Sequence, residues 1–309
     1  MILTVCLSPK IDVNMEVDNL SVGKTNNIIN KKTFFTGNAV NIAIGLAHLN
    51  ARVFATGFMY EDNGAQFERE LHKEGVSYEF VWNKGRVSEN YKIVDRRSML
   101  TEISEESSSV SAEKQQELLN LISKFSAEAD CVIVSGALPK GMKADFYNQI
   151  LSVVPQNVVK IVDAEGERLI QALKCGVKLI KPNLEEFERT LKRKITSKQE
   201  LMNGCCELID KGAEYVLLSL GRIKMGAVIT DGKKTYHCKS INVAKNSTIG
   251  AGGGMVAAAT YALLKGGSMQ DILRCGIAGG TAAVTSPDSI SFAKKKYEEI
   301  LSSLTVKEI

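Results

Sequence analysis

The sequence predicts an α/β fold: a central, mostly parallel sheet with helices on both faces, carrying a small β-sheet lid. Short β-rich apolar runs alternate with longer segments of helical periodicity along most of the chain, the pattern of parallel βαβ units. The rhythm breaks over about 10–35 and 85–110, where the residues are polar, turn-rich and weakly alternating. Both stretches read as lid strands outside the main sheet. With 309 residues, 44% of them hydrophobic, residues 1–309 are expected to form a single domain with a sizeable core, which excludes a disordered or fibrous chain.

Taken in order, Met1–Cys6 is an apolar strand, and Asp12–Val17 alternates weakly in the first excursion. Val53–Thr56 returns to the main sheet and Gln66–Lys73 has helical periodicity. Tyr91–Val94 belongs to the second excursion, and Glu105–Ser109 is a solvated loop. The βα rhythm then runs through helix Ala112–Phe125, strand Cys131–Ser135, helix Ala144–Val153, and strands Val158–Val162 and Val177–Ile180. It continues with helix Lys198–Lys211 and strands Tyr215–Leu220 and Ala227–Thr230. Lys294–Lys296 reads as a solvated helix face.

Charge and composition narrow the function classes. The net charge of +4 is small for this length, and Lys and Arg are scattered among Asp and Glu, so nucleic acid is not an expected partner. No apolar run approaches the ~18 residues of a membrane helix, and Met1–Cys6 has no basic region before it, so the reading is a cytoplasmic protein. The 7 cysteines show no C-x-x-C pair and no histidine at zinc-site spacing, which points to reduced thiols. Cys205-Cys206 falls in a helical pattern that favours burial, and His48, His72 and His237 sit in no catalytic or metal motif.

Ser247-Thr248-Ile249-Gly250-Ala251-Gly252-Gly253-Gly254-Met255-Val256 is a glycine-rich turn running into an apolar helix, with a second small-residue helix at Cys275–Ala283. Such a junction offers unblocked N–H groups and the positive end of a helix dipole, a cradle for phosphate. Close packing of the two helices would leave room for a flat adenine ring beside it. The turn is neither a P-loop nor a dinucleotide fingerprint. It also holds no acid, whereas phosphoryl transfer to an alcohol benefits from a carboxylate that takes the acceptor's proton.

This turn resembles the C-terminal signature of the ribokinase-like sugar kinases, in the phosphofructokinase-B branch that includes 1-phosphofructokinase and tagatose-6-phosphate kinase. The likeness extends in order along the chain. Thr4–Asp12 resembles the N-terminal strand whose terminal Asp binds sugar hydroxyls, and Phe35–Ala43 resembles the Gly-Gly-Lys-Gly-x-Asn segment. Val134–Pro139, Lys181–Glu186 and Ser219–Gly221 match the remaining landmarks. The resemblance implies a ribokinase-like fold and phosphoryl transfer from ATP, with Mg²⁺, to a hexose phosphate. It implies an anion hole at Gly250, Ala251 and Gly252, and nucleotide contacts at Lys181, Asn183, Ser219, Gly221, Gly250 and Gly252. Substrate contacts would come from Asp12, Lys24, Gly37, Asn38, Asn41, Asn90, Lys92 and Ser135. Glu186 would reach the metal through water. From the residues alone, Asp12 also fits a plain turn, and Asn183 with Glu186 also fits an ordinary helix cap.

Three departures bear on activity. Gly253 stands where the family has the Asp that takes the acceptor proton. Asn38-Ala39 replaces the Lys-Gly of the substrate loop. Ser88 holds the place of an Arg that grips the sugar's phosphate, a group best bound by a bidentate guanidinium. Lys24, Arg86 and Lys92 remain as nearby cations. The losses leave a second reading open, a catalytically impaired pseudokinase that binds nucleotide or sugar as a regulatory protein. The lid strands are expected to pair two copies into a homodimer, as exposed strand edges do.

Overall fold

The computed structural model describes residues 1–221, 225–241, 243, 250–285 and 291–309. β1 (Ile2–Cys6) is buried throughout, with Leu3 and Val5 in one apolar layer and Ile2 and Cys6 in the other, as a strand covered on both faces requires. β2 (Lys10–Val17) and β3 (Ile28–Thr36) follow, then α1 (Asn38–His48), β4 (Val53–Tyr60), α2 (Ala65–Lys73), β5 (Ser77–Asn83), β6 (Ser88–Asp95) and β7 (Leu100–Ser104). The βα succession continues as α3 (Ala112–Ser126), β8 (Cys131–Ser135), α4 (Phe146–Ser152), β9 (Val159–Asp163), α5 (Gly166–Leu173), β10 (Val177–Ile180), α6 (Leu184–Leu191) and α7 (Lys198–Asp210). It ends with β11 (Ala213–Ser219), β12 (Ala227–Thr230), β13 (Thr235–Cys238), α8 (Ala251–Leu264), α9 (Met269–Thr285), α10 (Lys294–Ser303) and β14 (Val306–Glu308).

The main sheet has the order β14-β13-β12-β11-β10-β9-β8-β1-β4-β5. It is parallel from β5 to β11 and antiparallel at the β12, β13 and β14 edge. Residues of α1, α2, α8, α9 and α10 pack into the apolar layer on one face, and residues of α3 to α7 pack on the other. Sequence periodicity located the alternation; it missed β5, β14 and α5, whose residues are short or mixed in polarity and gain their structure from the neighbours they pair with.

A separate sheet of order β3-β2-β6-β7 is built from the two stretches where the alternation fails. β2 runs antiparallel to β3 and parallel to β6. Asp12 lies inside β2, in the small sheet, as the reading of the first excursion expects, whereas the N-terminal strand that Thr4–Asp12 resembles ends at Cys6. Pro9 has no N–H to offer a ladder, and the chain changes sheets across Leu7, Ser8 and Pro9.

Helix starts follow capping chemistry. Ser111 and Ser197 cap α3 and α7 with their hydroxyls, and Asn183 caps α6 in a reciprocal box with Glu186. α8 begins instead after Gly250 in the left-handed region at φ 82°, a conformation glycine adopts without a Cβ penalty. Gly254 of α8 lies against Gly279 of α9 so closely that a Cβ on Gly254 would stand 2.7 Å from the Gly279 carbonyl oxygen. The small residues therefore bring the two helix backbones into contact. Of the signature turn, Ser247, Thr248 and Ile249 lie outside the described residues.

Candidate active site

The parallel strands end in a common row, with Cys6 opposite Ser135 and Ser135 opposite Asp163 in register. A cleft of about 470 Å³ opens at this edge, lined by residues of the small sheet, of α1, of the β9–α5 connection and by Gly250. Ligands of open α/β sheets bind at such carboxyl ends.

One wall is a face of the small sheet. In a strand, residues two apart share a face, so Lys10 and Asp12 of β2 look the same way, as do Ser88, Asn90 and Lys92 of β6. Asp12 lines the cleft but is only 7% exposed. Its carboxylate accepts hydrogen bonds from Asn90 Nδ2 at 3.0 Å and Thr36 Oγ1 at 3.2 Å and pairs with Lys92 Nζ at 3.2 Å. Asn90 is in turn fixed by Ser104, whose hydroxyl donates to its Oδ1 at 2.6 Å. A carboxylate held by three donors has a set orientation and keeps lone pairs for a ligand hydroxyl.

The opposite side is formed by two helix N-termini. Gly37 is the N-cap of α1, at φ 139°, and a Cβ there would meet Cys6 Sγ at 3.1 Å. Only glycine passes this crossing without strain. Asn38 is exposed on the cleft rim, whereas Asn41 is 5% exposed and its Oδ1 has no hydrogen-bond partner. α8 approaches from the other direction, its first intrahelical bond running from Gly254 N–H to Gly250 C=O at 2.8 Å. The N–H groups of Ala251, Gly252 and Gly253 precede that bond and have no intrahelical partner. A Cβ on Gly252 would lie 3.6 Å from Lys181 Nζ, and one on Gly253 would lie 3.0 Å from Asn41 Cβ. The position of the expected base thus faces α1, and it is empty of any carboxylate.

The cleft floor holds a buried charge network. Asp163 ends β9, receives the Ser135 hydroxyl at 2.7 Å and pairs with Lys181 Nζ at 3.3 Å. Burial works against the Lys181 ammonium, but Asp163 and Glu186 outweigh it and hold its pKa above the ordinary lysine value. Glu186 is shifted the other way from a typical surface acid. Burial raises its pKa, Lys181 opposes the rise, and Asp163 adds to it. A carboxylate in that condition gains from a nearby cation. Among the described residues no group of three or more His, Cys, Asp or Glu could hold a metal ion. Mg²⁺ usually keeps most of its waters and takes one or two carboxylates plus substrate phosphates, so Glu186 fits such an ion as an outer contact.

Several expected site residues lie elsewhere. Lys24 is exposed in the β2–β3 connection and is not among the residues that line the cleft. Ser135 is buried with its hydroxyl given to Asp163, so it orients that acid. Asn183 donates its backbone N–H to Glu186 Oε2 at 2.8 Å, and its side chain accepts from Glu186 N–H at 2.9 Å. The cap and the cleft acid are thus one unit. Ser219 ends β11 beside Asn183, and Gly221 follows at φ 66°; neither lines the cleft. Four charged cleft residues were given no role from the sequence: Lys10, Asp163, Glu165 and Arg168. Asp163 carried a usable signal, an acid closing an apolar strand at Val158–Val162.

Fold and cleft together define a class, the α/β phosphotransferases whose phosphate cradle is a helix N-terminus at the carboxyl edge of a parallel sheet. A model of the pfkB family of carbohydrate kinases matches residues 1–296. The chain belongs to that family and is a carbohydrate kinase by descent. It is similar over its whole length to a 1-phosphofructokinase from Borreliella burgdorferi, 28% identical with 99% of that protein covered. A tagatose-6-phosphate kinase from Staphylococcus epidermidis is 26% identical, with 100% of both chains covered. The phosphofructokinase-2 of Escherichia coli, solved in complex with potassium, shares the fold at a TM-score of 0.89, with 24% identity and 98% of each chain covered. Among the described residues no helix is long and apolar enough to cross a membrane.

Proposed function

We propose that this protein transfers the γ-phosphoryl group of ATP to a hydroxyl of a hexose phosphate, in the manner of a 1-phosphofructokinase or tagatose-6-phosphate kinase. The observation that carries the reading is the convergence on one cleft of the α8 N-terminus at Gly250 and the hydroxyl-reading pair of Asn41 and Asp12, the latter oriented by Asn90. In this reading Asp12 and Asn41 bind acceptor hydroxyls. The N–H groups of Ala251 and Gly252 and the Lys181 ammonium receive charge on the transferred phosphoryl group, the main contribution a protein makes to this chemistry. Asn183, Ser219 and Gly221 belong to the nucleotide side. Mg²⁺, held through Glu186 by way of water, supplies charge neutralisation on the phosphates when bound.

Position 253 separates this site from the family pattern. With no carboxylate there, the acceptor proton passes to water, at a cost of roughly 10²–10⁴ in rate. Positioning and the anion hole are unaffected by that loss. The second reading, a protein that binds sugar and nucleotide with little turnover, rests on the glycine at position 253. Steady-state ADP release with ATP·Mg²⁺ and fructose 1-phosphate, tagatose 6-phosphate or the free hexoses separates the two. Turnover with a hexose phosphate is the expected result. Its absence, with nucleotide binding retained in calorimetry, refutes the kinase reading.

The assembly is inferred to be a homodimer through the small sheet. Ile28, Ile29, Leu100 and Ile103 are all more than half exposed on it, and an apolar strand surface of this kind is stabilised by a second copy.

A further inference from the structure

Three cations line the cleft, and two of them already have carboxylate partners: Lys92 with Asp12 at 3.2 Å and Arg168 with Glu165 at 3.4 Å. The third, Lys10, has no ion-pair partner among the described residues. Lys181 below them is matched by Asp163 at 3.3 Å. Lys10 is therefore the one cation of the cleft lining without a carboxylate partner, among the described residues.

Its position is fixed by the sheet. Lys10 opens β2 and stands in register with Thr36 on one side and Ser88 on the other. Its carbonyl accepts the Thr36 hydroxyl at 3.3 Å. Ser88 is short and buried, and it leaves the neighbouring Lys10 as the cation of that row. Asp12 lies two residues along the same face, ~6.6 Å away at the usual strand rise. That is comparable to the separation between a hexose hydroxyl and a phosphate on a distant carbon.

We propose that Lys10 is the anchor for the acceptor's phosphate and sets the preference of this site for an anionic sugar. The arginine that the family resemblance expects at position 88 thus has a cation in its stead on the neighbouring strand, in register with Ser88. The inference rests on the proposed hexose phosphate specificity, and direct binding tests it apart from turnover. Calorimetric titration with fructose 1-phosphate and with tagatose 6-phosphate, without ATP, is carried out on wild type, Lys10→Met and Lys10→Arg. Loss of one charge-assisted contact is expected to weaken binding of at least one of the two by about 10- to 100-fold in Lys10→Met. Lys10→Arg should stay near wild type, and the affinity for ATP should hold in both variants. Lys10-dependent binding without turnover supports the anchor and refutes the kinase reading. Turnover with unchanged acceptor affinity in Lys10→Met does the reverse. Wild type that binds neither sugar phosphate, or a Lys10→Met variant that loses ATP affinity to the same degree, overturns the anchor.

Discussion

Substituting Gly253→Asp tests the central feature of the site. Gly253 is the third residue of α8, and its Cβ direction points at Asn41, with 3.0 Å to Asn41 Cβ and 3.5 Å to the Asn38 carbonyl oxygen. A contact at that distance is a few tenths of an ångström tight, so accommodation costs about 1 kcal/mol, the low end for overpacking. Two terms offset it. An aspartate in the first turn interacts with the helix dipole for ~0.3–1 kcal/mol, and replacing glycine in a helix returns about 0.3 kcal/mol. The net stability change is therefore within about 1 kcal/mol. The catalytic effect is larger. A general base is worth roughly 10²–10⁴ in rate, or about 2.7–5.4 kcal/mol of barrier. Gly253→Asn provides nearly the same shape without the base, so comparing kcat of the two variants with a hexose phosphate isolates proton removal. The expected outcome is a kcat for Gly253→Asp at least a hundredfold above Gly253→Asn, with both melting near wild type. If Gly253→Asp folds and binds nucleotide normally yet turns over no faster than Gly253→Asn, the assignment of this position is wrong.

Three further outcomes follow from the same geometry. Lys181→Met leaves Asp163 buried with one hydroxyl donor and should cost about 3–5 kcal/mol in denaturant unfolding; adding Asp163→Asn should recover most of the stability without restoring nucleotide affinity, and strictly additive losses would contradict the pairing. Glu186→Gln keeps an oxygen for the Asn183 cap while removing a charge whose pKa is raised by burial. A raised folded pKa favours folding below the unfolded value of 4.5 and that contribution is lost as pH rises through the folded value. The variant should therefore gain in melting temperature relative to wild type between pH 4 and pH 7, and the Mg²⁺ dependence of its ATP affinity should weaken; a relative loss on raising pH would count against the linkage. Ile29→Glu with Leu100→Glu charges the exposed apolar strands and should shift the protein to monomer in sedimentation velocity, whereas an unchanged association state would move the interface elsewhere.

Much of the site was readable because strand ends, glycine turns and caps are local. Gly250 and Gly37 advertise positive backbone angles by being glycine, and Asn183 with Glu186 advertises a cap by spacing. The sequence could not separate a cap from a cleft acid, and the structure makes Glu186 both. Lys24 and Ser135 show what a motif leaves open: being near it in sequence does not fix the direction of a side chain. Lys24 lies beyond Gly23 in an exposed turn, and Ser135 is turned by the register with β9 toward Asp163.

The family resemblance marked position 253 as the place of a missing acid; local pattern by itself determined the α/β class and the split between a main sheet and two polar excursions. These depend on periodicity and on residue type, which a linear chain displays directly. Only the tertiary structure decided which charges are spent and which remain. Ion pairs such as Lys181 with Asp163 and Lys92 with Asp12 join residues from different strands, and electrostatic balance depends on distance in space. That is why Lys10, an unremarked lysine in the sequence, stands out once the strands are paired.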